Sequence, residues 1–193
     1  MGCGGSKETQ QMSIEQQFVQ ANLNRFLLDG QFESPMEKEI FMAINLCRFM
    51  PQRFIPIVQK VKMNFPEAQM VQGTKMLIKH MRNMQRISGV TFSEEANRAC
   101  RERNDVVCSS PMVEEGMVIP IYHRISHSET PCNEYTHKQF NGTSGADFVA
   151  LQLILDWGIR GKSPILERFV THLGISMRSH KEFSNVTQVL YVK

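Results

Sequence analysis

From residue 145 to 157 the chain reads Gly-Ala-Asp-Phe-Val-Ala-Leu-Gln-Leu-Ile-Leu-Asp-Trp, a stretch apolar on nearly every side of a helical wheel. A helix with so little polar face must be covered all round, so other elements have to be layered over it. Thr143 or Ser144 is placed to cap it, and Asp147 follows Ser144 by three residues, as a reciprocal capping box requires. Gly158 is placed to end it in the left-handed conformation. Beyond a polar connection, Phe169, Thr171, Leu173, Ile175 and Met177 alternate with smaller or polar residues, the period of a strand with one face on a core. A buried helix feeding a strand predicts an α/β chain with the helix against a sheet and Trp157 enclosed between the two.

Upstream, helix signals recur. Ser13-Ile14-Glu15-Gln16 reads as a capping box, after which Val19, Leu23, Phe26 and Leu27 follow helical spacing until Asp29-Gly30. This helix is amphipathic but almost uncharged, which suits docking on the domain better than insertion into lipid. Ser34-Pro35-Met36-Glu37 is a stronger start, with Met36, Ile40, Ala43, Ile44 and Cys47 as its inner stripe. Pro51 interrupts it, and Phe54, Ile57, Val58 and Val61 continue in a shorter helix to Asn64. Further helices are predicted over about residues 73 to 86 and from Ser93 to Val107. Between 109 and 141 only Met117 to Tyr122 reads as a strand, and the rest reads as loop. Val186 to Val192 reads as a last strand, pairing with 169 to 177. Two regions result: 1–33, a signal and docking helix, and 34–193, the domain.

The first seven residues, Met-Gly-Cys-Gly-Gly-Ser-Lys, match the N-myristoylation pattern, with Gly2 as acceptor once Met1 is removed. Cys3 can take a palmitoyl chain. One acyl chain holds a protein only marginally, and Lys7 followed by Glu8 supplies no basic cluster, so Cys3 must provide the second signal. The alternative is a flexible glycine-rich start. The five cysteines are irregularly spaced with no C-x-x-C pair and no secretory signal, which predicts free thiols in a reducing compartment. No apolar run approaches the roughly 18 residues of a spanning helix. A net charge of +3 is too small to argue for nucleic acid. Residues 34 to 110 nevertheless carry 12 Lys or Arg against 7 Asp or Glu, an excess that fits a solvated face, anionic lipid or an acidic partner.

Several phrases, in order, resemble the CAP superfamily of cysteine-rich secretory, antigen 5 and pathogenesis-related proteins. They are Glu37 to Ile40 with Ile44-Asn45-Leu46-Cys47-Arg48 and Pro51 to Phe54, then Phe92 to Cys100, then Leu153-Ile154-Leu155-Asp156-Trp157-Gly158-Ile159, and finally Gly174-Ile175 before a last strand. The resemblance covers roughly residues 36 to 192. It implies a three-layer α-β-α sandwich with a mainly antiparallel sheet. Members commonly hold a divalent metal with two histidines and two acids in a central cleft. Here the slot of the second histidine reads Gly161-Lys162-Ser163, and Glu134 in Asn133-Glu134-Tyr135 is the nearest counterpart of the acid. A protonated lysine donates only and cannot ligate a metal. The resemblance therefore implies a degenerate cleft, leaving at most a Glu134–Lys162 ion pair, with no metal, no cofactor and no catalysis.

His123 and His127 lie four apart, but outside any helical pattern, and the spacing rules of a zinc site are unmet. Asn141 to Gly145 lacks the Gly-Lys-Ser/Thr ending of a phosphate loop, so helix capping explains it better. The expectation is a non-enzymatic, lipid-anchored CAP-like module, peripheral on the cytoplasmic face of a membrane and binding protein or lipid there. The alternative is a structural subunit of a cytoskeletal or ciliary assembly. A metal-dependent hydrolase comes last.

Overall fold

Four serines start four of the helices, each for the same reason: a hydroxyl accepts one of the N–H groups that a first helical turn leaves without a partner. In this computed structural model, which describes residues 12–26, 32–109, 121–124, 131–137, 144–179 and 185–192, Ser13 opens α1 (Ile14–Gln20) with both arms of the capping box made. Ser34 caps α2 (Pro35–Phe49), with proline in its first turn. Helix α3 (Pro51–Asn64) follows across Met50, then the short α4 (Pro66–Met70) and α5 (Thr74–Asn83). After β1 (Thr91–Phe92), the Ser93 hydroxyl accepts the Ala96 amide in the first turn of α6 (Glu94–Ser109). Strands β2 (Ile121–Arg124) and β3 (Pro131–His137) precede α7 (Gly145–Arg160), which Ser144 caps. A 3-10 turn at Pro164–Leu166 leads to β4 (His172–Arg178) and β5 (Asn185–Val192).

The five strands form one mixed sheet in the order β1-β4-β5-β3-β2. β1 runs parallel to β4, and the other three pairings are antiparallel. The predicted closing hairpin is present, with Leu173 opposite Tyr191 and Ile175 opposite Val189. Because side chains alternate along a strand, Leu173, Ile175, Val189 and Tyr191 enter the main core together with α2, α3, α5 and α7. On the other face Leu190 packs with Ala96 and Cys100 of α6. There the Asn104 amide donates to the Ser176 hydroxyl at 3.0 Å, and the Asn97 carbonyl accepts the Ile175 amide at 3.1 Å.

Several expectations need correction. Helix α1 stops at Gln20 rather than near Asp29-Gly30, which lie outside the described residues. Asn22 adopts the left-handed conformation (φ 57°), and the amides of Leu23 and Asn22 bond back to Phe18 and Val19 at 3.2 and 2.9 Å. That is a Schellman stop with Asn in the glycine position, sealed by the buried pair Phe18 and Leu23. Helix α2 does not show one stripe: Ile40 to Arg48 are buried without interruption, because α1 covers the side that α3 and α7 leave open. Helix α7 passes through Gly158 and ends at Gly161 (φ 66°), whose amide returns to Trp157 at 2.9 Å. The Ser144 hydroxyl takes the Asp147 amide, but both oxygens of the Asp147 carboxylate accept from Lys60 of α3 at 3.0 Å, so the side chain is committed across helices.

Trp157 is half-buried against His80 of α5, ring centroids 4.9 Å apart, not between helix and sheet. The sheet-facing side of α7 is marked instead by Gln152, which donates to the Tyr191 hydroxyl at 2.6 Å. Five residues further along a helix is a turn of about 140°, which aims Trp157 away from the strands. The region expected to be mostly loop contains β3, whose Pro-Cys-Asn-Glu-Tyr-Thr-His sequence has no apolar alternation. Main-chain pairing to β5 and β2 makes it a strand. The predicted strand 117–122 is described from Ile121 on, as β2.

Candidate functional site

The predicted lipidation residues Gly2 and Cys3 lie outside the described residues, as does His127, and so do the side chains of Glu134 and His123. Glu134 stands in β3 with its backbone opposite Gln188 of β5 and Ile121 of β2. Lys162 is exposed, one residue past the left-handed Gly161. Ser163 is buried, donating to the Asp156 carboxylate at 2.7 Å and accepting the Ile165 amide at 3.4 Å. The Gly161-Lys162-Ser163 segment therefore stops one helix and starts a 3-10 turn. The Glu134–Lys162 pair itself falls outside the described side chains. Among the described residues, no three His, Cys, Asp or Glu side chains converge as a metal site would require.

The side chain that organises this end of the molecule is Arg48. It is fully buried, yet its guanidinium meets four main-chain oxygens. Nε donates to Ser88 at 2.8 Å, Nη1 to Ile165 and Glu167 at 2.8 and 3.0 Å, and Nη2 to Val170 at 2.8 Å. Burial pulls its pKa down to about 10, which leaves it charged at neutral pH. One planar fork thus joins α2 to the segment 84–90, to the 3-10 turn and to the entry of β4. Asn45, one turn earlier, accepts the Val90 amide at 2.8 Å and donates to Phe41 at 3.2 Å. The neighbouring Cys47 thiol is pushed up to about 12 by burial and is no nucleophile.

Two glutamates at the other end of α2 have opposite surroundings. Glu33 accepts from Arg178 of β4 and from Arg101 of α6, the latter at 3.0 Å, and the Arg178 bond foremost holds its carboxyl below the usual 4.5. Glu37 is buried and accepts the amides of Met177 and Glu33 at 2.8 Å each. Burial outweighs those bonds and raises its carboxyl above 4.5. Stabilisation from Glu33 is therefore present above 4.5 and lost as pH falls through its folded pKa. Glu37 behaves oppositely: its contribution is complete below 4.5 and fades as pH rises through its folded pKa. A carboxyl-carbon NMR titration should show the two residues titrating on opposite sides of 4.5; a shared midpoint would contradict the geometry.

Near the C-terminal end of α2 lie two open hollows of about 780 and 620 Å³, sharing Phe49 and Arg86 in their walls. Arg53, from the first turn of α3, lines the first, and Arg25, from a 3-10 turn at Asn24–Phe26, lines the second. Arg25, Arg53 and Arg86 are all exposed, and among the described residues neither wall contains an Asp or Glu. Among the described residues none of the three pairs with a carboxylate. Two of them lie over aromatic rings: Arg25 over the Phe26 ring at 5.0 Å, and Arg86 over Phe49 at 5.6 Å. Gln52 pins the approach to Arg86 by donating to the carbonyl of Met84 at 2.6 Å. The positive excess over residues 34 to 110 includes Arg53 and Arg86 but not Arg25, and nothing in the sequence could have grouped the three.

Compared with known proteins, the chain matches no family model, no curated protein and no solved structure.

Proposed function

We propose that the chain is a non-enzymatic, lipid-anchored module of the CAP type, held at the cytoplasmic face of a membrane through Gly2 and Cys3. The observation that carries this reading is the start Met-Gly-Cys-Gly-Gly-Ser, an acyl acceptor with a second acylatable residue beside it. Helix α1, docked on α2 through Phe18 and Leu23, ties that start to the folded domain. The CAP-like three-layer arrangement is supported by α6 on one face of the sheet and α2 and α7 on the other, with the β4–β5 hairpin closing the chain. The absence of catalysis is a reading of the metal slot, where Lys162 brings a cation that repels a divalent ion.

Replacing Gly2 by alanine is expected to move the protein from the membrane fraction to the soluble one, since the primary acceptor is gone. Cys3→Ser should leave weak, reversible attachment, because a single myristoyl chain binds membranes with an association constant of about 10⁴ M⁻¹. Subcellular fractionation of cells expressing each variant reads both effects. An unchanged distribution of the Gly2→Ala protein would remove the anchor and favour a subunit of a larger assembly.

A further inference from the structure

We propose that the arginine-walled hollows are the face the domain turns to an anionic membrane surface, with Arg25, Arg53 and Arg86 taking lipid phosphate and carboxylate groups. The proposal rests on the membrane-attached reading above but uses side chains outside the acylation signal. Two observations carry it. Among the described residues, no carboxylate stands in either wall to neutralise the guanidinium groups. Arg25 and Arg86 lie over the rings of Phe26 and Phe49, so part of the ordering cost of an arginine is met before any ligand arrives.

Chain geometry lets this face and the acyl chains meet one surface. Glu15 near the start of α1 pairs with Lys38 at 3.1 Å, whereas Phe49, which lines both hollows, lies at the far end of α2. Phe49 lies eleven helical steps beyond Lys38, about 16 Å. The residues between Gly2 and Ser13 can span more than twice that when extended, roughly 35–40 Å. An anchor at Gly2 is therefore long enough to leave the arginines against the headgroups. An anionic leaflet suits these open hollows better than an acidic peptide, since the three charges share an open surface and no enclosed slot for a side chain is present.

The test uses the full chain made without acylation, mixed with vesicles of phosphatidylcholine alone or of phosphatidylcholine with phosphatidylserine, and read by co-sedimentation. Each basic side chain at such a surface contributes about a fivefold gain in partitioning. The expected result is phosphatidylserine-dependent binding that falls about a hundredfold in the R25Q/R53Q/R86Q variant. A variant with the same charge removed elsewhere, K75Q/R98Q/R168Q, should lose only a few-fold, through net charge alone. Equal loss in the two variants would overturn the proposal, as would native protein that ignores phosphatidylserine. Inorganic phosphate, added against chloride of equal ionic strength, should not displace the protein. Saturable displacement would instead make this a pocket for a small free anion. Because no acyl chain is present, failure here leaves the Gly2→Ala result standing, and the converse holds as well.

Discussion

Arg48→Ala is expected to destabilise the fold by about 3–5 kcal/mol, read as a lower urea midpoint. The substitution removes a fully buried cation and strips the donor from the carbonyls of Ser88, Ile165, Glu167 and Val170. A buried carbonyl without a partner costs about 1–3 kcal/mol, moderated here wherever water can enter. Arg48→Met separates packing from hydrogen bonding, since it fills much of the space but donates nothing, and it should lose nearly as much. Arg48→Lys keeps the charge but not the fork, so it should fall between the native chain and alanine. If methionine proved as stable as arginine, the four short contacts would not be what holds the β4 entry to α2.

Gly174→Ala should cost about 3 kcal/mol, and Gly174→Val more. A Cβ built on Gly174 would lie 2.3 Å from the carbonyl carbon of Ala96 and 2.3 Å from the amide nitrogen of Asn97. Both are backbone atoms of α6, so no rotamer change relieves the clash and the helix must lift from the sheet. Lifting it also breaks the bonds from Ile175 to Asn97 and from Asn104 to Ser176, leaving polar groups of the interface unpaired. Thermal denaturation of the two variants reads the loss. Neutral behaviour of Gly174→Ala would mean that α6 does not approach β4 this closely.

The parts of this fold legible in sequence are those encoded by neighbours along the chain. Ser13, Ser34, Ser93 and Ser144 announce helix starts because capping depends on residues three apart. The β4–β5 hairpin is visible because period-two alternation survives in both strands. What escapes is encoded by partners distant in the chain. Periodicity marked one stripe on α2 and had no access to the cover that α1 supplies through Phe18 and Leu23. Arg48 stands out in the sequence only as part of the phrase from Ile44 to Arg48 in the resemblance; its burial is not legible there, since its four acceptors are main-chain oxygens and leave no trace in residue type. Strand β3 lacks an apolar face and is a strand through its pairing on both edges. In the candidate site the sequence marked a basic region and an acylation start, whereas the grouping of Arg25, Arg53 and Arg86 depends on the meeting of three separate segments.

Membrane attachment through the acylated start can be read by detergent extraction of cells fed an alkyne-tagged myristate. The chain is expected to carry the tag, sediment with membranes, and pass into the supernatant with a non-ionic detergent. A chain without the tag, or one that stays in the pellet after the lipid has been dissolved, would overturn this reading, and the second result would favour a subunit of an insoluble assembly.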